Sequence, residues 1–228
     1  MDTKRFREFF QSKIELGRLV VQGMGSQAEP DAEIILCCAL SGLAAFLWPG
    51  PGIDRQRFIQ LLIDFSQPSA NLRLISLPVL ASQLRDQGDV SSAINLKAKF
   101  FPGHPTEFLD PNVVDQDEAI VSSFLNSLDL KTIRRASYAS IIYTDLRCAL
   151  VHEYSLSPNM TSFNLFDIHN APSYLHMNFE DGQTRMLLHL PFGYLADALN
   201  NITEALFTYW STSSLLEKPP PLSWWVDG

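Results

Sequence analysis

Residues 131–154, KTIRRASYASIIYTDLRCALVHEY, carry the strongest helical pattern in the chain, and the fold class follows from them. Apolar residues recur at helical spacing from Lys131 to about Tyr154, with Ser157 and Pro158 beyond as a stop. The second half, YTDLRCALVHEY from Tyr143 to Tyr154, is apolar on most of its circumference yet holds Asp145, Arg147, His152 and Glu153. Burying such groups costs several kcal/mol unless they are paired, so a cleft or an interface is the economical place for them. On an ideal α-helix Asp145, Cys148 and His152 share one stripe, and Tyr143, Arg147 and Tyr154 a neighbouring one. Arg147 and His152 then stand about 140° apart, bordering one groove without touching.

Upstream, helical patterns cover residues 3–22, the apolar run AEIILCCALSGLAAFLW opened by Pro30 and Asp31, the segment RQRFIQLLIDF, and residues 78–87. The second of these is apolar nearly all round, which predicts a central place in the core. Residues 99–117 hold three prolines and few periodic apolar positions and read as an exposed loop insertion. A helix is expected at 118–128. Downstream, residues 162–190 change to a period of two, and Leu175, Met177 and Phe179 alternate with Tyr174, His176 and Asn178. A two-residue turn at Asp181 and Gly182 sets Glu180 opposite Gln183 and gathers Leu175, Met177, Met186, Leu188 and Leu190 on one face. Residues 163–169 are the candidate third strand. Pro191 opens a last helix with a stripe of Leu195, Leu199, Ile202, Leu206 and Tyr209. The expectation is a mainly α protein, a helical bundle with a small antiparallel β-meander or hairpin before the last helix. One domain spans 1–215, followed by a proline- and tryptophan-rich tail at 216–228.

A chain of 228 residues with 46% hydrophobic and 18% charged residues is long enough for a sizeable core. Its formal charge of −8 provides no general attraction to nucleic acid, so any contact with RNA must be local. The amino terminus, MDTKRFREFF, lacks the basic-then-apolar order of a secretory signal, and no apolar run approaches the length of a membrane span. Cys37, Cys38 and Cys148 have no metal-type spacing and suit a reducing compartment. These features together predict a cytoplasmic chain without membrane association.

The motif segment resembles the HEPN family (higher eukaryotes and prokaryotes nucleotide-binding domains), helical proteins with an Arg-x4-6-His signature late in a helix. Here Arg147, the four residues CALV and His152 form the four-residue version, with Cys148 where many members carry a polar residue, often asparagine. The resemblance implies a ribonuclease in which two protomers of a homodimer bring their motifs together and cleave RNA without metal or cofactor. It implies His152 as acid or base and Arg147 as the group that steadies the phosphate. The chemistry agrees, because a 2′-hydroxyl attacking its own phosphodiester needs a proton acceptor and a fixed cation. Tyr154, two residues after the histidine, is similar to the toxin branch paired with minimal nucleotidyltransferases. That likeness implies a stress or defence role and a nucleotidyltransferase antitoxin as partner. Tyr154, Tyr143 and Glu153 are the regulatory or partner-facing positions, and stripe geometry suggests Asp145 as the group that orients His152. The competing readings are a catalytically silent scaffold of the same fold, binding a nucleotide or partner protein, and an unrelated helical interaction protein.

Other motifs carry less. His176 and His189 would share the polar face of the hairpin, with His169 near them, but no acidic or cysteine ligand has a matching spacing, so no metal site is expected. GMGSQAEP at 23–30 lacks both the preceding strand and the Lys-Ser/Thr of a phosphate-binding loop. His104 reads as a loop residue. Trp224 and Trp225 mark the tail either as a docking arm or as a segment packed on its own domain.

Overall fold

The computed structural model describes residues 3–66, 71–102, 108–162, 171–178, 184–212 and 221–224. The chain divides into two compact units, one formed by Met1–Leu72 with Pro191–Gly228 and the other by Arg73–Leu190. It is mainly helical, with a small antiparallel sheet before the last helix.

The first unit is built from helices α1 (Thr3–Met24), α2 (Glu29–Leu47), α3 (Asp54–Phe65) and α10 (Phe192–Thr212), which pack pairwise around a common core. Gly25 follows α1 at φ +79 and its N–H reaches the Val21 carbonyl at 2.8 Å, the left-handed stop that glycine makes easily. Leu195, Leu199, Ile202 and Leu206 of α10 are buried as their spacing predicts. The Glu29 carboxylate accepts the Phe192 N–H at 2.9 Å, placing an acceptor on the first turn of α10. Gly17 lies so close to Phe192 that an added Cβ would sit 2.6 Å from the ring. Ser223 and Trp224 both donate backbone N–H to Gln60 Oε1 (3.0 and 2.9 Å), so this part of the tail is packed on α3 of its own unit. Trp225 lies outside the described residues.

Two expectations change here. The second helix is not enclosed: Leu36, Leu40 and Leu43 are buried, but Cys38, Gly42 and Phe46 face outward. Moreover α2 has the length and hydropathy to cross a membrane, although half of that stretch is buried inside the protein. The sequence conceals this because Ser41 and Gly42 interrupt the apolar run from within.

The second unit contains α4 (Leu77–Asp86), α5 (Val90–Phe100), β1 (Phe108–Leu109), α6 (Pro111–Val114), α7 (Glu118–Phe124), α8 (Leu130–Arg134), a last helix beginning as α9 (Tyr138–Ile141), and strands β2 (Ser173–Asn178) and β3 (Thr184–His189). Helix α5 was not expected; its signal is Asp89, whose carboxylate caps the Ser92 N–H at 3.1 Å. The segment 99–117 is not simply an exposed insertion, because β1 pairs with β2 and both Val114 and Asp115 are buried. The single helix expected over 131–154 is broken. Asp129 caps α8 through Thr132 N–H, and Ser137 restarts the chain as cap of α9. Between them, Ala136 and Tyr138 bond to Ser76 and Leu74, so tertiary pairing with 74–76 interrupts the helix.

The sheet has order β1-β2-β3, all antiparallel. Its register differs by one residue from the expected one: Tyr174 faces Leu188 and Leu175 faces Leu187, whereas a turn confined to Asp181 and Gly182 would oppose Leu175 and Leu188. Tyr174 supplies the reason. Its ring is fully buried and its hydroxyl lies 2.7 Å from Asp115 Oδ2 and from Ser76 Oγ, so a residue assigned to the polar face is drawn inward. The turn residues, Phe179, Glu180 and the proposed third strand at 163–169 lie outside the described residues.

Candidate functional site

From Ile142 to Glu153 the last helix of the second unit continues as a twelve-residue π-helix, closed by i→i+5 bonds. Side chains alternate two in and two out along it. Ile141 and Ile142, Asp145 and Leu146, and Ala149 and Leu150 are buried, while Tyr143 and Thr144, Arg147 and Cys148, and Val151 and His152 are partly or fully exposed. A period of four lies between the 3.6 of an α-helix and the wider turn of a π-helix, so it is the i→i+5 bonding that sets this winding. Ile142, Leu146 and Leu150 at four-residue intervals read in the sequence as an ordinary α-helical face, so the winding is not legible there.

The wider helix brings Arg147 and His152 together. Arg147 Nη1 lies 3.2 Å from His152 Nε2. Arginine has donors only, so in this contact His152 Nε2 is the acceptor. The expectation that these residues border a groove without touching is therefore corrected, because five residues span about one turn of a π-helix. The same guanidinium sits 5.5 Å from the centroid of the Tyr143 ring and donates from Nη1 toward Cys148 Sγ at 3.6 Å. Arg147 is partly accessible and His152 exposed.

Asp145 does not orient His152. It is buried, and its Oδ1 accepts from Asn159 Nδ2 at 3.5 Å, while its backbone carbonyl receives the Ser157 N–H. The stripe of Asp145, Cys148 and His152 belongs to an α-helix; on the wider helix a seven-residue step leads to a different side. Glu153 is exposed beside the motif. Tyr154 ends the helix at φ 51, ψ 36 with 68% of its surface exposed, and its N–H is shared between the Ala149 and Leu150 carbonyls. A left-handed tyrosine occupies a position where glycine is usual, at a cost of about 1 kcal/mol.

A second polar cluster, in the same unit, was not legible in the sequence. Asp115 Oδ2 accepts from Tyr138 (2.6 Å) and Tyr174 (2.7 Å), and Oδ1 accepts the Leu77 N–H at 3.1 Å. Since one Tyr174 proton cannot serve two acceptors, Ser76 donates to Tyr174, and Ser76 Oγ in turn accepts the Val79 N–H. Burial pushes the Asp115 carboxyl up to about 7 against the opposing pull of these hydrogen bonds. Burial also raises the Tyr174 phenol well above its ordinary range. The cluster is sealed from solvent and is a fold-defining hub.

His176 and His189 fall on opposite faces of the sheet, the first across from Met186 and the second across from Ser173. Among the described residues no group of three His, Cys, Asp or Glu side chains is placed to hold a metal ion. His104 and His169 lie outside the described residues.

No family model matches the chain, no curated protein matches it, and no solved structure matches it.

Proposed function

We propose that the protein is a HEPN-like, metal-independent endoribonuclease that acts in the cytoplasm as a homodimer in a stress or defence system. The observation that carries this reading is the contact between Arg147 and His152 on an accessible helix face, 3.2 Å apart. An RNA phosphate entering there attracts the guanidinium into a bidentate pair, which releases His152 Nε2. The freed nitrogen accepts the proton of the attacking 2′-hydroxyl, and Arg147 stabilises charge on the phosphorane oxygens. Tyr143, against which the guanidinium rests, limits where that cation can move. The leaving 5′-oxygen needs a proton, and His152 of a second protomer across a two-fold would supply it. Val151 and Tyr154, exposed apolar residues beside His152, favour such a contact.

The products are a 2′,3′-cyclic phosphate and a 5′-hydroxyl. The test is incubation of purified protein with structured and unstructured RNAs in chelator, followed by end analysis. Cleavage abolished in His152→Ala supports the reading. Intact RNA with both proteins reduces the chain to a scaffold.

Tyr154, an exposed residue directly after the motif, is the position at which a nucleotidyltransferase partner would act. Co-expression with a nucleotidyltransferase encoded beside it, followed by mass spectrometry, should find the nucleotide on Tyr154. An unmodified tyrosine despite an active partner enzyme removes this regulation.

A further inference from the structure

Helices α1 and α2 form an antiparallel pair in the first unit, with the tilted rings of Phe6 and Phe46 5.7 Å apart at one end and Gly17 against Ala32 at the other. Along this pair runs an open groove of about 840 Å³. Phe9 and Phe46, respectively 52% and 53% exposed, form its walls. Its floor is low because Cys38 and Gly42 are small; a Cβ added at Gly42 meets nothing within 4 Å. The groove is lined from Ile34 to Phe46, about 18 Å of helix, the length of an extended long-chain fatty acid. Volume and lining match a small-molecule site, which is typically apolar and about 300–1,000 Å³.

The charges at the groove select the ligand. Its lining includes Arg5 and Lys13 and no carboxylate, in a chain whose net charge is −8. The Lys13 ammonium lies 4.8 Å from the centroid of the Phe9 ring, directly at the groove wall. A second copy of this chain docking face to face would set these cations near their own duplicates, which like-charge repulsion disfavours. An anionic head joined to an apolar tail satisfies both features at once. We propose that this groove binds a single-chain anionic amphiphile of the long-chain fatty-acid class, with its tail along α1 and α2 and its carboxylate drawn by the positive field that Lys13 and Arg5 give the lining. The site is independent of the ribonuclease reading, since it uses no residue of the Arg147/His152 face.

The test uses the full chain and a dansyl-labelled undecanoic acid, whose fluorescence rises in an apolar site, with displacement by palmitate and by hexadecanol. Palmitate should displace the probe at micromolar concentration, and hexadecanol should do so more weakly. Lys13→Glu and Arg5→Glu should each weaken palmitate by about tenfold while leaving hexadecanol unchanged. Gly42→Phe and Gly42→Leu, which fill the floor from an open helical position, should abolish both while circular dichroism and melting remain native. The proposal is overturned by absence of probe enhancement, or by equal displacement by the acid and the alcohol in the parent and in both charge variants. It is equally overturned if the chain binds only vesicles of anionic phospholipid, or if Gly42→Phe changes the sedimenting species and palmitate does not bind.

Discussion

Arg147 Nη1 and His152 Nε2 lie 3.2 Å apart although five residues separate them, and the cause is the π-helical winding of Ile142–Glu153. On an α-helix the pair would diverge by about 140°. π-turns are uncommon and are found often at functional sites, because the extra residue per turn is costly and persists only where packing holds it. Along this helix Ile142, Leu146 and Leu150 are buried, and Asp145 is anchored inward by Asn159.

The contact predicts energetic coupling. Arg147→Ala and His152→Ala should be non-additive in chemical denaturation by about 0.5–1 kcal/mol. Additive effects would mean that the two side chains do not interact in solution.

Catalysis by this pair predicts that His152→Ala lowers RNA cleavage by about 10²–10⁴-fold. Arg147→Lys keeps the charge but loses the planar fork, and should remain impaired by at least about tenfold. Single-turnover cleavage rates, measured in chelator, provide the check. A full rate for Arg147→Lys would reduce the arginine to a nonspecific cation.

Assembly across a two-fold predicts a dimer at micromolar protein in sedimentation. Val151 is exposed on the motif face, so Val151→Glu should leave the fold intact while dissociating the dimer and lowering cleavage together. A cleaving monomer would contradict the composite site.

The left-handed backbone at Tyr154 makes the helix end sensitive to residue type. Tyr154→Gly should be neutral or stabilising in thermal melts, and Tyr154→Val destabilising by about 1–2 kcal/mol. Equal melting of the two variants would show that the end of the helix relaxes.

For Asp115 the sign of the pH effect follows from a folded pKa of about 7 against an ordinary value of 3.8. The folded state binds the proton more tightly, so this stabilisation is fully present below about pH 4 and is lost as pH rises through 7. The loss is on the order of 2–4 kcal/mol. Urea unfolding at several pH values should show that slope in the parent and a flatter one in Asp115→Asn. A slope unchanged by the substitution would assign the effect to other groups.

Helical periodicity, Pro30, Pro191 and the alternating 162–190 segment specify by themselves a helical protein with a late β-hairpin, because these patterns are local consequences of backbone geometry. The residue types at Arg147 and His152 are equally local, and they mark the candidate chemistry without tertiary information. Their mutual contact is not local. It depends on a wider helix, and that winding is selected by what Ile142, Leu146, Leu150 and Asp145 meet in the core. The same dependence sets the strand register. Alternation with a two-residue turn at Asp181 and Gly182 opposes Leu175 to Leu188, but the hydroxyl of Tyr174 must reach Asp115 and Ser76, partners far away in sequence, and leaving that buried hydroxyl unpaired would cost more than a one-residue shift. Pattern therefore decides which elements form, and the pairing of buried polar groups decides how they are wound and aligned.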